Sequence, residues 1–291
     1  RGLNRIVVAS CSPRMHLDTF RQTLKSAGLN PYFLEMANIR EQCSWIHDDK
    51  EAGTAKAIDL IRGAVERARF LEPLEVKSLP VSNNVLVVGG GISGIIASIE
   101  LADKGFQVYL VEKSPSIGGH MAQLSKTFPT LDCSSCILTP KMVYTAQHPR
   151  IKIITMAEPT AVEGTPGNYR VLITKRPRYV DKGCTACGAC AEKCPVKVPN
   201  EFEADLTQRK AIYSPFKQAV PRTYVIDTDH CLYFTKGVCK VCEKFCKAHV
   251  VNFNQKEETM ELDVGAIVAC TGFEQIDPKR LEEYSYGLHP D

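Results

Sequence analysis

The sequence predicts an α/β protein built on a parallel sheet, with a small α/β unit ahead of it and a cysteine-rich segment set into it. Three observations lead there. At 85–113, "VLVVGGGISGIIASIELADKGFQVYLVEK" is an apolar strand, a glycine turn, a helix and a second strand. Residues 181–250 have little periodicity but hold eight of the thirteen cysteines. From 259, "TMELDVGAIVACTGFEQ" returns to strand character, so the cysteine-rich segment reads as inserted, not appended.

The first segment, 1–80, reads as a small α/β domain, incomplete at its N-terminus. "RIVVAS" (5–10) is a short buried strand, "HLDTFRQTLKSAGLN" (16–30) a helix stopped by Gly28, and "PYFLEMA" a second strand. "GTAKAIDLIRGAVERARFL" (53–71) places Ile58, Ile61, Val65, Ala68 and Leu71 on one helical face, which is expected to be buried. The linker "EPLEVKSLPVSNN" ends the unit. The next domain spans 81–177, and "IKIITMAEPTAVEG" and "NYRVLITKRPRYV" supply further strands. The insert spans 178–256, and 257–291 is a truncated return segment.

A chain of 291 residues suffices for two or three domains. No apolar run approaches the roughly 18 residues of a membrane-spanning helix. The N-terminus has no signal-peptide pattern. With 36 basic and 33 acidic residues, scattered and without a Lys/Arg block, nothing favours nucleic acid. An odd cysteine count with CxxC spacings and no secretory signal argues for metal chemistry in a reducing compartment and against a disulfide framework. A start on Arg and an end soon after a strand signal lead us to expect a piece of a longer polypeptide.

The glycine turn has the mechanics of a dinucleotide site. Gly89 permits the tight turn, Gly91 lets the backbone approach a pyrophosphate, and Gly94 lets helix and strand pack closely. Ile92 and Ser93 open the helix whose free N–H groups face the phosphates. Glu112, with Lys113 beside it, ends the next strand and can accept ribose hydroxyls. Gly118 and Gly119, followed by His120, and Thr271-Gly272 in "AIVACTGF" resemble the two-dinucleotide flavoproteins. In that family such segments return to FAD, which is favoured here over NAD.

Cys184-x2-Cys187-x2-Cys190-x3-Cys194-Pro195 matches the bacterial ferredoxin run. Three closely spaced thiolates wrap three corners of a cubane cluster, and the fourth reaches a second cluster, so a partner run is expected downstream. Cys239-x2-Cys242-x3-Cys246 supplies it, with Cys231 set back by the insertion "YFTKG" and Lys247 in place of the usual proline. An enlarged turn costs little closure entropy. The expected ligand sets are Cys184, Cys187, Cys190 and Cys246 for one [4Fe–4S] cluster and Cys194, Cys231, Cys239 and Cys242 for the other. The competing readings are zinc and a second cluster that is missing or three-iron. His230 and His249 read as surface histidines, and Lys182, Lys193, Lys240, Lys244 and Lys247 as neighbours of the ligands.

Cys11, Cys43, Cys133 and Cys136 admit three readings: ligands of a third cluster at the interface of the N-terminal and FAD domains, a Cys133/Cys136 dithiol facing the flavin, or plain small hydrophobes. "LDCSSCILTPK" reads as a loop, and Cys270 as strand core.

Over its whole length the sequence resembles the A subunit of heterodisulfide reductase. "ASCSPR", "NPYFLEMANIREQCSW", "VVGGGISGI", "VYLVEKSPSIGGHMAQLSKTFPTLDCSSCILTPKM", "CGACAEKCPVKVPNEF" and "CLYFTKGVCKVCEKFC" all look like that family's segments, in its order. The resemblance implies a thioredoxin-reductase-like, Rossmann-type FAD domain with an inserted two-cluster bacterial-type ferredoxin. It further implies an iron–sulfur flavoprotein that works within a cytoplasmic complex of methanogenesis. Such a protein passes electrons between a donor (hydrogenase, formate dehydrogenase or ferredoxin), FAD, with electron bifurcation, and a disulfide-reducing partner subunit. The alternatives are an NAD(P)H-dependent disulfide reductase using Cys133 and Cys136, and a non-catalytic electron-transfer adaptor. No triad, base pair or oxyanion constellation in the sequence marks a proton-transferring residue.

Overall fold

The structure, a computed structural model, describes residues 2–274 and 276–287; the end of the return segment, 288–291, lies outside the described residues. The chain forms two compact units, 1–78 and 79–291.

In the first unit, strand β1 (Ile6–Ser10) pairs in parallel with β2 (Leu34–Asn38), from Ile6 opposite Leu34 to Ser10 opposite Asn38. Helix α1 (Pro13–Ser26) is capped by Ser12, whose hydroxyl accepts the Arg14 N–H, and has Pro at its first position, where no N–H is needed. Leu24, Leu34 and Met36 form its small core. Helix α2 (Lys50–Arg69) is capped by Asp49 and packs on both strands. The predicted buried face of α2 is rotated. Ala64 and Ala68 are buried, whereas Ile58 and Val65 are each 44% exposed. Close approach to a narrow two-stranded sheet favours alanine over branched side chains at the contact.

The second unit is built on a four-stranded parallel sheet. Strand β3 (Asn84–Val88) leads into α3 (Ile92–Asp103) and β4 (Gln107–Glu112). Short pieces β5 (Lys126–Thr127) and β6 (Asp132–Cys133) precede α4 (Ser134–Gln147) and β7 (Ile151–Thr155). Strands β8 (Ala157–Thr165) and β9 (Asn168–Lys175) follow. The insert carries α5 (Ala189–Lys193), β10 (Lys197–Pro199), β11 (Gln208–Lys210), β12 (Ile212–Tyr213), β13 (Val225–Ile226), α6 (Leu232–Lys236) and α7 (Val241–Lys244). The chain returns through β14 (Glu258–Val264) and β15 (Ala266–Ala269). The parallel sheet has the order β15-β3-β4-β7, and β14-β9-β8 form an antiparallel sheet.

Both faces of the parallel sheet are covered, which is why its strands read as continuous apolar runs. Val85, Val87, Val108 and Leu110 meet α3 and α4, while Leu86, Val111 and Ile154 meet the antiparallel sheet through Val171, Ile173 and Leu262. The insert's exit and re-entry are side by side. Glu258 stands opposite Lys175 in the β9–β14 ladder, and their side chains form an ion pair at 3.0 Å. The insert has its own core of Val180, Ile212, Ile226, Val251 and Phe253, with Cys190 and Cys242 among them.

Candidate functional site

Three segments converge at the C-terminal ends of β15, β3 and β4, the place where open α/β sheets bind nucleotides. The glycine turn comes first. Gly89 has φ +104°, and a Cβ there would lie 2.2 Å from the Cys270 carbonyl oxygen. A Cβ on Gly94 would lie 1.9 Å from the Gly89 oxygen, whereas one on Gly91 would meet nothing within 4 Å. Two glycines therefore serve packing, and the third faces open space into which a ligand can come close. Ile92 is half-buried and Ser93 exposed in the first turn of α3.

The second segment is the loop after β4. Glu112 is buried; its Oε2 accepts the Gly90 N–H at 2.6 Å and its Oε1 the Ser114 N–H at 2.8 Å. It thus ties the glycine turn to the end of β4, and its remaining lone pairs are what a ribose would meet. Lys113 is exposed, and its carbonyl accepts from Arg176 at 2.8 Å. The Gly118 N–H donates to Gly90 O at 2.7 Å, and Gly119 (φ +54°) passes so close that its Cβ would lie 2.9 Å from Gly91 Cα. The third segment follows β15. Cys270 lies one residue beyond the strand, and its N–H donates to Val88 O at 2.8 Å; Thr271 and Gly272 (φ +77°) come next. His120 closes the ring: its imidazole is stacked on Phe273 at 4.8 Å, with Nε2 3.0 Å from Phe273 O. Phe273 escaped the sequence reading although it directly follows the Thr-Gly pair. The glycine cradle, open at Gly91 at the start of α3, fits the diphosphate of a dinucleotide such as FAD.

The insert's eight thiols fall into two groups. Cys184, Cys187, Cys190 and Cys246 line one cavity, with Tyr224. Cys194, Cys231, Cys239 and Cys242 line another. Ile212 forms part of the wall of both. The run that begins at Cys184 therefore sends its fourth thiol to the second cavity, and the run that ends at Cys246 sends its last to the first. Cys190 and Cys242 sit in α5 and α7, which pack on each other. Burial pushes the Cys190 thiol up to about 11 and the Cys242 thiol up to about 12, and nearby thiolates add to both. Cys187 is held low by the Ala189 N–H and the Thr185 hydroxyl, and Lys247 contributes its charge. Among the described residues no three His, Cys, Asp or Glu side chains close on a single-ion point. Four soft donors around each apolar-lined pocket fit a cubane cluster, whose iron would deprotonate them.

The insertion "YFTKG" is an ordered turn. Cys231 caps α6, Gly237 ends it in the left-handed conformation, and Tyr233 and Phe234 pack against Phe253 and each other. His230 is exposed and bonded to Asp227 at 2.9 Å, and His249 is exposed. Lys193 and Lys240 lie over the rings of Phe245 and Tyr233, at 5.8 Å and 4.9 Å.

Cys133 and Cys136 are not in a loop. Cys133 caps α4 and Cys136 lies in its first turn, because Leu138, Met142 and Thr145 form a buried stripe that overrides the break signalled by Pro140. The two sulfurs are joined as a disulfide, with Cα atoms 5.3 Å apart, so in this structure they are not free thiols. In the first unit, the Cys11 sulfur accepts from Arg40 Nη1 at 3.3 Å, and Cys43 is buried, its thiol donating to Gly53 O at 2.9 Å.

The family model of FAD dependent oxidoreductases matches residues 84–139, from the start of β3 into α4. The chain is 53% identical over 290 residues to the iron-sulfur A subunit of the CoB–CoM heterodisulfide reductase of Methanocaldococcus jannaschii, covering 99% of this chain and 43% of that protein. It is 56% identical over 289 residues to the second such iron-sulfur A subunit of Methanopyrus kandleri, again 99% and 43%. It is 50% identical over 290 residues to the A subunit of the H(2):CoB-CoM heterodisulfide,ferredoxin reductase of Methanothermobacter thermautotrophicus, with the same two coverages. The chain spans 43% of the length of these curated relatives. Over that span, the chain belongs to the family of heterodisulfide reductase A subunits.

Proposed function

We propose that this chain is the FAD- and [4Fe–4S]-bearing electron-transfer part of an oxidoreductase of the heterodisulfide reductase type. The observation that carries the reading is the exchange of fourth thiols between two four-cysteine cavities. That exchange is the ligand pattern of a two-cluster ferredoxin and has no purpose in a single-ion site.

FAD supplies two-electron exchange with one-electron release, and each cluster supplies a one-electron relay. The chain's own residues do the rest. Gly89, Gly91, Gly118 and Gly119 form the diphosphate cradle, Glu112 holds its turn, and His120 with Phe273 closes its rim. The two thiol sets anchor the relays on either side of Ile212, and burial of Cys190 and Cys242 keeps water from the sulfurs. The relatives' names pair a heterodisulfide with ferredoxin and, in Methanococcus maripaludis, hydrogen or formate. We extend this to the present chain: a hydrogenase, formate dehydrogenase or ferredoxin exchanges electrons with it, the flavin bifurcates them, and a partner subunit reduces the disulfide. The free thiols of the insert fit the cytoplasm, and among the described residues no helix is long and apolar enough to cross a membrane.

Anaerobic purification with flavin, iron and acid-labile sulfide counts tests the reading. About one flavin with about eight irons and matching sulfide bound by this region is expected, four per cubane. Zinc without sulfide overturns it. The Cys133–Cys136 pair carries one second reading, a dithiol that exchanges electrons with the flavin. A thiolate-to-flavin charge-transfer band on two-electron reduction, lost in Cys136→Ser, would favour it.

A further inference from the structure

Arg178 stands where the chain leaves β9 for the insert, and its side chain crosses back. Nη2 donates to Pro115 O at 2.5 Å and Thr155 Oγ1 at 2.7 Å, both in the dinucleotide-binding fold, and Nη1 donates to Thr223 O at 3.4 Å in the insert. The backbone around it is also pinned. Gln255 Oε1 accepts the N–H groups of Arg178 and Tyr179 at 3.1 Å and 2.6 Å, and Ile226 N–H donates to Arg178 O at 3.1 Å. Beside it, Ser116 and Ile117, the residues just before Gly118, bond to Val220, while Tyr224 lines the Cys184 cavity.

The guanidinium has an unusual charge environment. All three of its side-chain partners are neutral oxygens. Burial lowers its pKa to about 10, and the groups that act in the other direction are Tyr213 and Cys184, with no carboxylate among them. A cation taken from water without a counter-charge is costly, and removing its partner from such a pair costs more than the pair contributes. It therefore calls for an anion nearby, and the geometry offers one place for it: Thr223 O, its partner in the insert, is followed by Tyr224, which lines the cavity of Cys184, Cys187, Cys190 and Cys246, as does Val180 two residues along the chain. A cubane held by four thiolates carries net negative charge in both oxidation states.

We propose that Arg178 is a counter-charge, on the flavin side, of the cluster held by Cys184, Cys187, Cys190 and Cys246, a positioning residue that holds this cluster against the flavin-cradling loop and eases its reduction. The proposal rests on the cluster reading above. It distinguishes the two cavities, because the Cys194 cavity receives no such cation from this residue. Nearby positive charge stabilises the more negative, reduced cluster and so raises its potential.

The test is a reductive titration, followed by electron paramagnetic resonance, of the anaerobically purified full-length protein and its Arg178→Met, Arg178→Gln and Arg178→Lys variants, with iron and flavin counted in each. In the two neutral variants, one cluster signal is expected to move to more negative potential. The shift should reach about tenfold in its reduction equilibrium, about 59 mV for a one-electron couple. Arg178→Lys should keep the parent value, and the other signals should stay in place. The proposal is overturned if the neutral variants retain iron and flavin and titrate like the parent, or if Arg178→Lys shifts as far as Arg178→Met. It is also overturned if both neutral variants lose iron that the parent keeps, since Arg178 is then a strut. Absence of iron and sulfide from the parent itself would instead overturn the cluster reading, and the metal count reports that separately.

Discussion

Ser116 Oγ accepts the N–H of Val220 at 2.8 Å, across 104 positions of sequence. Val220 lies in the insert, and Ser116 lies two residues before the Gly118–Gly119 pair, so one hydroxyl joins the thiol-bearing insert to the dinucleotide cradle. Phe202 and Phe216, stacked at 4.9 Å, extend the seam: Gln123 donates to Phe202 O at 3.0 Å, and Phe216 reaches the atoms around Gly118. The insert is seated on the loop that would hold the flavin diphosphate, and the contact is specific.

Cys246 is expected to behave as a member of the first run. Cys246→Ser should remove the same magnetic-resonance signal as Cys187→Ser, and Cys231→Ala the same signal as Cys194→Ser. Each should lower bound iron by about four atoms. If Cys246→Ser instead matched Cys242→Ser, the exchange of fourth ligands would be wrong.

The three glycines of the turn should separate. Gly91→Ala meets open space in the protein alone, so it should melt like the parent yet lose flavin affinity by at least about tenfold, since its methyl stands where a pyrophosphate approaches. Gly94→Ala collides with Gly89 O and should lose both, with about 1–3 kcal/mol of stability gone. Thermal melts with and without added FAD read the two effects apart.

Alkylation of the metal-free protein should follow the thiol environments. Only the thiolate reacts, so Cys187, held low by its hydrogen bonds, should label first and level off at the lowest pH. Labelling of Cys190 and Cys242, pushed up to about 11 and about 12 by burial, should still be rising at the alkaline end of the profile. Mass spectrometry of pulse-labelled samples across mildly alkaline pH measures this. Equal labelling of all eight would mean that these environments are not held without metal.

Phe234→Ala should weaken the insert by about 1–3 kcal/mol, because a partly buried ring is removed from the cluster of Tyr179, Tyr233 and Phe253. A loss below about 0.5 kcal/mol in denaturant unfolding would return "YFTKG" to the status of a slack loop.

Much of the candidate site was legible because its chemistry depends on short spacings. The glycine turn, Glu112 and the cysteine runs are local patterns, set by how few residues a tight turn or a cubane corner allows. The parts that escaped depend on contacts between segments far apart in sequence. Phe273 meets His120 across 153 positions, and Arg178 reaches Pro115 across 63. The exposed Ile58 and Val65 show the same limit, since helical periodicity names a face but the width of the sheet decides how much of it is covered.

By itself, the sequence determined the strand–glycine turn–helix–strand unit of the nucleotide-binding fold, and it led us to expect an insertion and a division of eight thiols into two sets of four. Strand runs, turn glycines and ligand spacings are properties of neighbouring residues, and they need no knowledge of what lies across the fold. The tertiary structure alone decided that Cys133 and Cys136 start a helix as a joined pair, that "YFTKG" is packed aromatic structure, and that the half-buried Arg178 bridges insert and cradle through neutral oxygens. Those outcomes depend on burial and on partners brought together by packing, and burial is a property of the whole fold.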